Sequence, residues 1–101
     1  MESSLLLGGF SEVQPAANEA EVLEICDKIR PEVEAKIGEN FAEFQAIEYR
    51  MQVVAGMIYL IKVYTGNGEY LHIEVLSNLE GGGLELLKYE RGKSRDDLLR
   101  P

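Results

Sequence analysis

The sequence predicts an α+β domain in which one long helix is followed by an antiparallel β-meander, and three observations carry that expectation. Apolar residues recur at three- and four-residue spacing between Val22 and Ile37, the period of an amphipathic helix. After Gly38 the period falls to two, in runs separated by turn residues. Those runs follow one another with no second helical stretch between them, so neighbouring strands pair antiparallel.

The helix is legible from its stripe and its ends. Val22, Cys26, Ile29, Val33 and Ile37 share one face. Asn18 with Glu21 three residues on forms a candidate N-cap pair, and Gly38 is the C-terminal stop. Pro31 removes the hydrogen bond to the Asp27 carbonyl, which predicts a bend within one continuous element.

The strands follow. Phe44 and Ala46, then Ile47, Tyr49 and Met51, alternate with one slip between 46 and 47, which predicts a β-bulge or a strong bend. Residues 57–64 make the next strand, with Tyr59, Ile61 and Val63 on one face. Gly66-Asn67-Gly68 reads as a tight turn, since Asn-Gly accepts positive φ. Residues 70–76 follow, with Leu71, Ile73 and Val75 together, then a loop over 77–83 and a last strand over 84–90. Val13 or its neighbours add a short edge strand before the helix. The apolar helix face packs across one side of a sheet of four to five strands.

A chain of 101 residues with 46% hydrophobic content supports one folded core, so residues 1–101 form a single domain. Residues 1–9, with three leucines before Gly8-Gly9, read as a flexible N-terminal arm. Ten basic against 18 acidic residues give a net charge of −8, which disfavours nucleic acid and anionic membrane as partners. Cys26 is the single cysteine, so no disulfide forms within the chain, and the first residues lack the pattern of a signal peptide. A reducing, cytoplasmic setting is the simplest reading.

Catalytic chemistry is thin. Cys26 and His72 are the only thiol and imidazole, too few for a zinc set. Cys26 is in phase with the helix stripe and reads as a small core residue. His72 lies opposite Leu71 and Ile73, which predicts exposure or pairing at the sheet surface. Gly81-Gly82-Gly83 lacks the Lys and Ser/Thr of a P-loop. These residues imply no enzyme, no metal and no cofactor.

The informative segment is Gln52-Val53-Val54-Ala55-Gly56, where two strands meet. A hairpin tip ordinarily collects Asn, Asp, Gly and Ser. This one presents two valines, each leaving roughly 1.5–3 kcal/mol of burial unrealised in water. The residues alone leave two readings open: a surface for a partner, or strand ends in a tighter hairpin. Likewise Leu5-Leu6-Leu7 read as a binding arm, as a segment folded back on the core or as a frayed terminus, and the loop at Leu79 as a second contact or an ordinary connection.

Gln-Val-Val-Ala-Gly resembles the first-loop motif of the cystatins, and the chain resembles their small intracellular branch, the stefins. The likeness extends over Gly8-Gly9-Phe10-Ser11-Glu12, Asp27-Lys28-Ile29-Arg30-Pro31, Glu34-Ala35-Lys36, Ile61-Lys62-Val63, the His72 strand and Arg95-Asp96-Asp97-Leu98. It implies a cystatin-like fold, a sheet curled around one long helix. It also implies reversible, tight, competitive inhibition of papain-like cysteine proteases such as cathepsins by an apolar wedge. In that reading Leu6, Leu7, Gly8 and Gly9 form the arm, Gln52, Val53, Val54, Ala55 and Gly56 the first loop, and Leu79, Glu80 and Gly81 the second. The resemblance further implies a monomer able to exchange its helix and neighbouring strand with a second copy, hinged at 52–56. The rival reading is a non-inhibitory interaction module on the same fold. The chain departs from the stefin pattern in its second loop, which has Leu79-Glu80-Gly81-Gly82-Gly83 where stefins carry Leu-Pro-Gly or a similar Leu-Pro pair, and in a slightly longer stretch between Pro15 and Asp27; its Leu-rich arm before Gly8 also extends further than in many stefins.

Overall fold

The computed structural model describes residues 9–78 and 82–101. Its elements run in the order β1 (Gln14–Pro15), α1 (Ala20–Ile37), β2 (Gln45–Val54), β3 (Gly56–Gly66), β4 (Glu69–Asn78) and β5 (Leu84–Lys93). All five strands form one antiparallel sheet in sequence order. The α+β expectation holds, and the short edge strand falls one residue beyond Val13.

Helix α1 buries Val22, Ile25, Cys26, Ile29 and Val33. Ile37 packs against the same cluster from its margin. The helix stays continuous through Pro31. At its end Gly38 adopts φ +83°, and its N–H donates to the Glu34 carbonyl at 2.8 Å. That left-handed cap suits a residue without Cβ. The start departs from the sequence expectation. The N-cap is Glu19, with no side-chain cap bond, and not Asn18. Ala16 is pinned by its N–H to Ile47 O at 3.0 Å, and the Glu19 N–H closes a turn onto the Ala16 carbonyl at 3.0 Å. Asn18 is consumed inside that turn, so the first helical carbonyl belongs to Glu19, which accepts from the Leu23 N–H.

The helix-facing side of the sheet is built from cross-strand pairs: Tyr59 opposite Val75, Ile61 opposite Ile73, Val63 opposite Leu71. The register shifts between Ala46 and Glu48, where Ile47 is the extra residue, as the alternation slip predicts. The Gly66-Asn67-Gly68 turn joins β3 to β4 with positive φ at all three residues. Strands β3, β4 and β5 each extend beyond the bounds read from alternation, because pairing continues into the polar residues at the hairpin ends.

The opposite face is also covered, and this corrects the reading of His72. Residues 94–101 fold back over it, and His72 is only 6% exposed. Leu60 and Lys62 are buried there beside Leu99. Lys62 pairs with Glu48 at 2.9 Å and donates to the Arg95 carbonyl. Alternation assigns His72 to this face but carries no information about what covers it. Burial first, then the Lys62 and Lys93 charges, hold the imidazole below its ordinary range, against weaker opposing pulls from Glu90 and Asp97.

The pH consequence has a definite sign. An unfolded imidazole titrates near about 6.5. Below that pH the unfolded chain binds a proton that the folded chain refuses, so stability is full above about 6.5 and falls as pH drops through the folded value. His72 is the only histidine, and the carboxylates held low (Glu24, Glu34, Asp97) act further down, below their ordinary values of 3.8–4.5. Urea unfolding at successive pH values should therefore show a decline as the pH falls below about 6.5 that His72→Gln removes. An equal slope in both proteins would contradict it.

The sheet's edges differ from its centre. Strand β1 is two residues long and contains Pro15. Strand β5 is mostly exposed, charged along its length, and meets β4 with two register shifts.

Candidate functional site: the hairpin end of the sheet

The β2–β3 hairpin is tighter than a loop of five residues. Val53 pairs with Met57 and Val54 with Gly56, leaving Ala55 alone at the apex. Gly56 has φ +129°, a backbone state that side chains rarely tolerate, which gives the closing glycine a structural reason. Val53 and Val54 are thus strand residues, yet they project into solvent. Val53 is 72% exposed and Val54 40%. Gln52 is half-buried and Ala55 exposed at the same tip, while the Gly56 backbone is buried.

Two other segments come to this end. Gly56 lies directly opposite Asn78 across the β3–β4 ladder, so the base of the β4–β5 hairpin sits beside the first tip. That base is closed by the Asn78 N–H on the Gly83 carbonyl at 2.9 Å. On the far side, Ser11 runs antiparallel along β2. Its N–H donates to Met51 O at 2.8 Å, and the Met51 N–H donates to Ser11 Oγ at 3.0 Å. Moving back from Ser11 therefore moves toward the tip, which brings Gly9 level with the end of β2. The sequence-predicted residues Gly9, Gln52, Val53, Val54, Ala55 and Gly56 are gathered at one end. Leu6, Leu7, Gly8, Leu79, Glu80 and Gly81 lie outside the described residues.

This end protrudes. A cavity of about 380 Å3 lies at the opposite end, lined by Thr65, Gly68, Arg91 and Lys93 among others. The tip is apolar and exposed, and its strand ends, already paired across the hairpin, have little order left to lose on contact with a partner.

The thiol and the imidazole are kept apart. Cys26 sits in the helix-side core with its Sγ against the Phe44 carbonyl at 3.9 Å. His72 is on the other side of the sheet. Burial, and then Asp27, push the Cys26 thiol up to about 12, the reverse of what a nucleophile needs. Ellman's reagent at pH 8 should leave the native thiol unmodified and label it once guanidinium unfolds the chain; rapid native labelling would contradict the packing. Among the described residues no group of three His, Cys, Asp or Glu side chains is placed to hold a metal. No helix among them is long and apolar enough to cross a membrane.

One residue of this region gave no signal in the sequence. Arg50 lies between the arm and the C-terminal segment and bonds to both. Its partners are main-chain carbonyls far away in sequence, which no local pattern reports.

Comparison with known proteins agrees with the geometry. The cystatin domain model matches residues 8–94. The mouse (Mus musculus) protein Stefin-2 is 47% identical over 93 residues, covering 91% of this chain and 88% of its own length. Human (Homo sapiens) Cystatin-A is 40% identical over 97 residues, covering 94% of this chain and 97% of its own. A pig (Sus scrofa) relative named Leukocyte cysteine proteinase inhibitor 1 is 42% identical over 102 residues, covering 98% and 97%. With its helix on a five-stranded meander and its Gln-Val-Val-Ala-Gly tip, the chain belongs to the cystatin family on its stefin branch, a family of cysteine protease inhibitors and not of enzymes.

Proposed function

We propose that this protein is a reversible, tight-binding competitive inhibitor of papain-like cysteine proteases, cathepsins among them. The observation that carries the reading is the exposure of Val53 and Val54 at a hairpin tip flanked by the Gly9 arm and the second hairpin. The tip enters the active-site cleft beside the catalytic thiol, Val53 and Val54 pack on the cleft wall, and no scissile bond is presented. Gly8 and Gly9 let the arm backbone approach closely, and Leu6 and Leu7 reach the non-primed side. Leu79, Glu80 and Gly81 make the second contact. The first loop serves every target protease, whereas the arm tunes affinity among them.

One chain engages one protease, in the cytoplasm, where a domain with a single buried thiol and no disulfide is at home. The test is a titration of papain with the purified protein, following hydrolysis of a small peptide substrate. Stoichiometric loss of activity that is relieved by competing substrate is the expected result. Papain running at full rate in the presence of excess protein would reject inhibition and leave a non-inhibitory binding module.

A further inference from the structure

Arg50 is the only described side chain that bonds both terminal segments to the wedge strand in the same place. Its Nε donates to the Ser11 carbonyl at 2.8 Å, and its Nη1 donates to the Leu99 carbonyl at 2.6 Å. Its guanidinium also stands over the Phe10 ring, 5.8 Å from the centroid. Two donated bonds from different nitrogens and a ring contact, on three residues at once, use the planar guanidinium in a way that a lysine at this position would not reproduce. Leu99 in turn is 2% exposed and anchored on the sheet, so the acceptor that holds Arg50 is itself fixed.

The location gives this arrangement its meaning. Arg50 is three residues before Val53 on β2, and Phe10 and Ser11 are the two residues that follow Gly9. Strand β1 is only two residues long, and between it and Gly9 the arm is held to β2 by the paired Ser11–Met51 bonds. Such an edge would fray without a side chain to hold it. Charge-assisted bonds to fixed carbonyls are the stronger kind, and here they fix the direction in which the chain leaves the domain.

We infer that Arg50 is a positioning residue for inhibition: it straps Phe10 and Ser11, at the root of the N-terminal arm, to the C-terminal segment through Leu99, and so fixes the point from which the arm departs. The inference rests on the arm's part in the proposed function. It makes the C-terminal segment, on the sheet face away from the helix, a contributor to affinity without touching the protease.

A double-mutant cycle in the full-length chain tests it. Arg50→Ala is expected to raise the papain inhibition constant roughly tenfold, about 1.4 kcal/mol. The same change in a chain where Leu5, Leu6 and Leu7 are alanine should have little further effect, because an arm without side chains gains nothing from being aimed. Amide exchange at Ser11 should quicken in Arg50→Ala while exchange at Ile61 stays slow, which separates loosening of the arm from loss of the fold. Ending the chain at Leu98 removes the acceptor and should reproduce the pattern. An equal loss from Arg50→Ala with and without the leucines would overturn the strap, as would an unchanged constant. A truncation loss that persists in the leucine-free chain would mean that the tail itself meets the protease, and would also overturn it. If the leucine replacement alone leaves inhibition intact, the arm reading falls and takes the strap with it, while tip-driven inhibition stands.

Discussion

Val53→Asp is expected to raise the papain inhibition constant by about two to three orders of magnitude while leaving the melting temperature nearly unchanged. The two halves of that expectation come from the same number. A side chain 72% exposed in the free protein has few internal contacts to lose, and surface changes of this kind stay within about 0.5 kcal/mol. In the complex the same valine contributes roughly 1.5–3 kcal/mol of burial, and a carboxylate at that place has to be stripped of water against an apolar wall. Each 1.4 kcal/mol is about tenfold in affinity, so the losses multiply to the stated range. Inhibition constants and thermal melts on the same preparation decide it. Unimpaired inhibition by the aspartate variant would remove the tip from the mechanism.

The mirror image is Ile61→Ala. Ile61 is fully buried at the centre of the sheet, opposite Tyr49 on one side and Ile73 on the other, beneath the helix stripe. Truncation there leaves a cavity that neighbouring strands cannot close, at about 2–5 kcal/mol. For a domain of this size the melting temperature should fall by roughly 10–25 °C. The inhibition constant measured well below that temperature should hardly move, because the tip is a separate piece of rigid hairpin. A large loss of affinity in a variant that is still fully folded would show that the core shapes the tip, which the short Val53–Met57 and Val54–Gly56 pairing argues against.

The two variants mark the line between what the sequence discloses and what it does not. Period and punctuation suffice for the helix, the strands, the bulge at Ile47 and the turn at Asn67, because each is a local consequence of side-chain spacing. The motif at 52–56 is legible for a related reason: valines where a turn calls for polar residues contradict local rules, and such contradictions mark function. His72 and Arg50 were not legible. Their surroundings are made by residues 94–101 returning across the sheet, at separations of 33 and 49 residues for the Lys62–Arg95 and Arg50–Leu99 bonds. The N-cap was missed by one position because Asn18 serves a turn fixed by Ala16 on Ile47, again a distant partner.

A molecule that keeps bare valines in water has a second problem, adhesion to copies of itself. Its sheet is finished accordingly. On one margin the two-residue Gln14–Pro15 strand offers a proline where a neighbour would seek an N–H, and on the other β5 is charged and out of step with its partner. Both margins are poor templates for a sixth strand, and a net charge of −8 favours separation of identical molecules. Val53, the most exposed of the described large apolar side chains, thus stands at a corner with no long, flat, apolar edge beside it to extend the contact into a sheet.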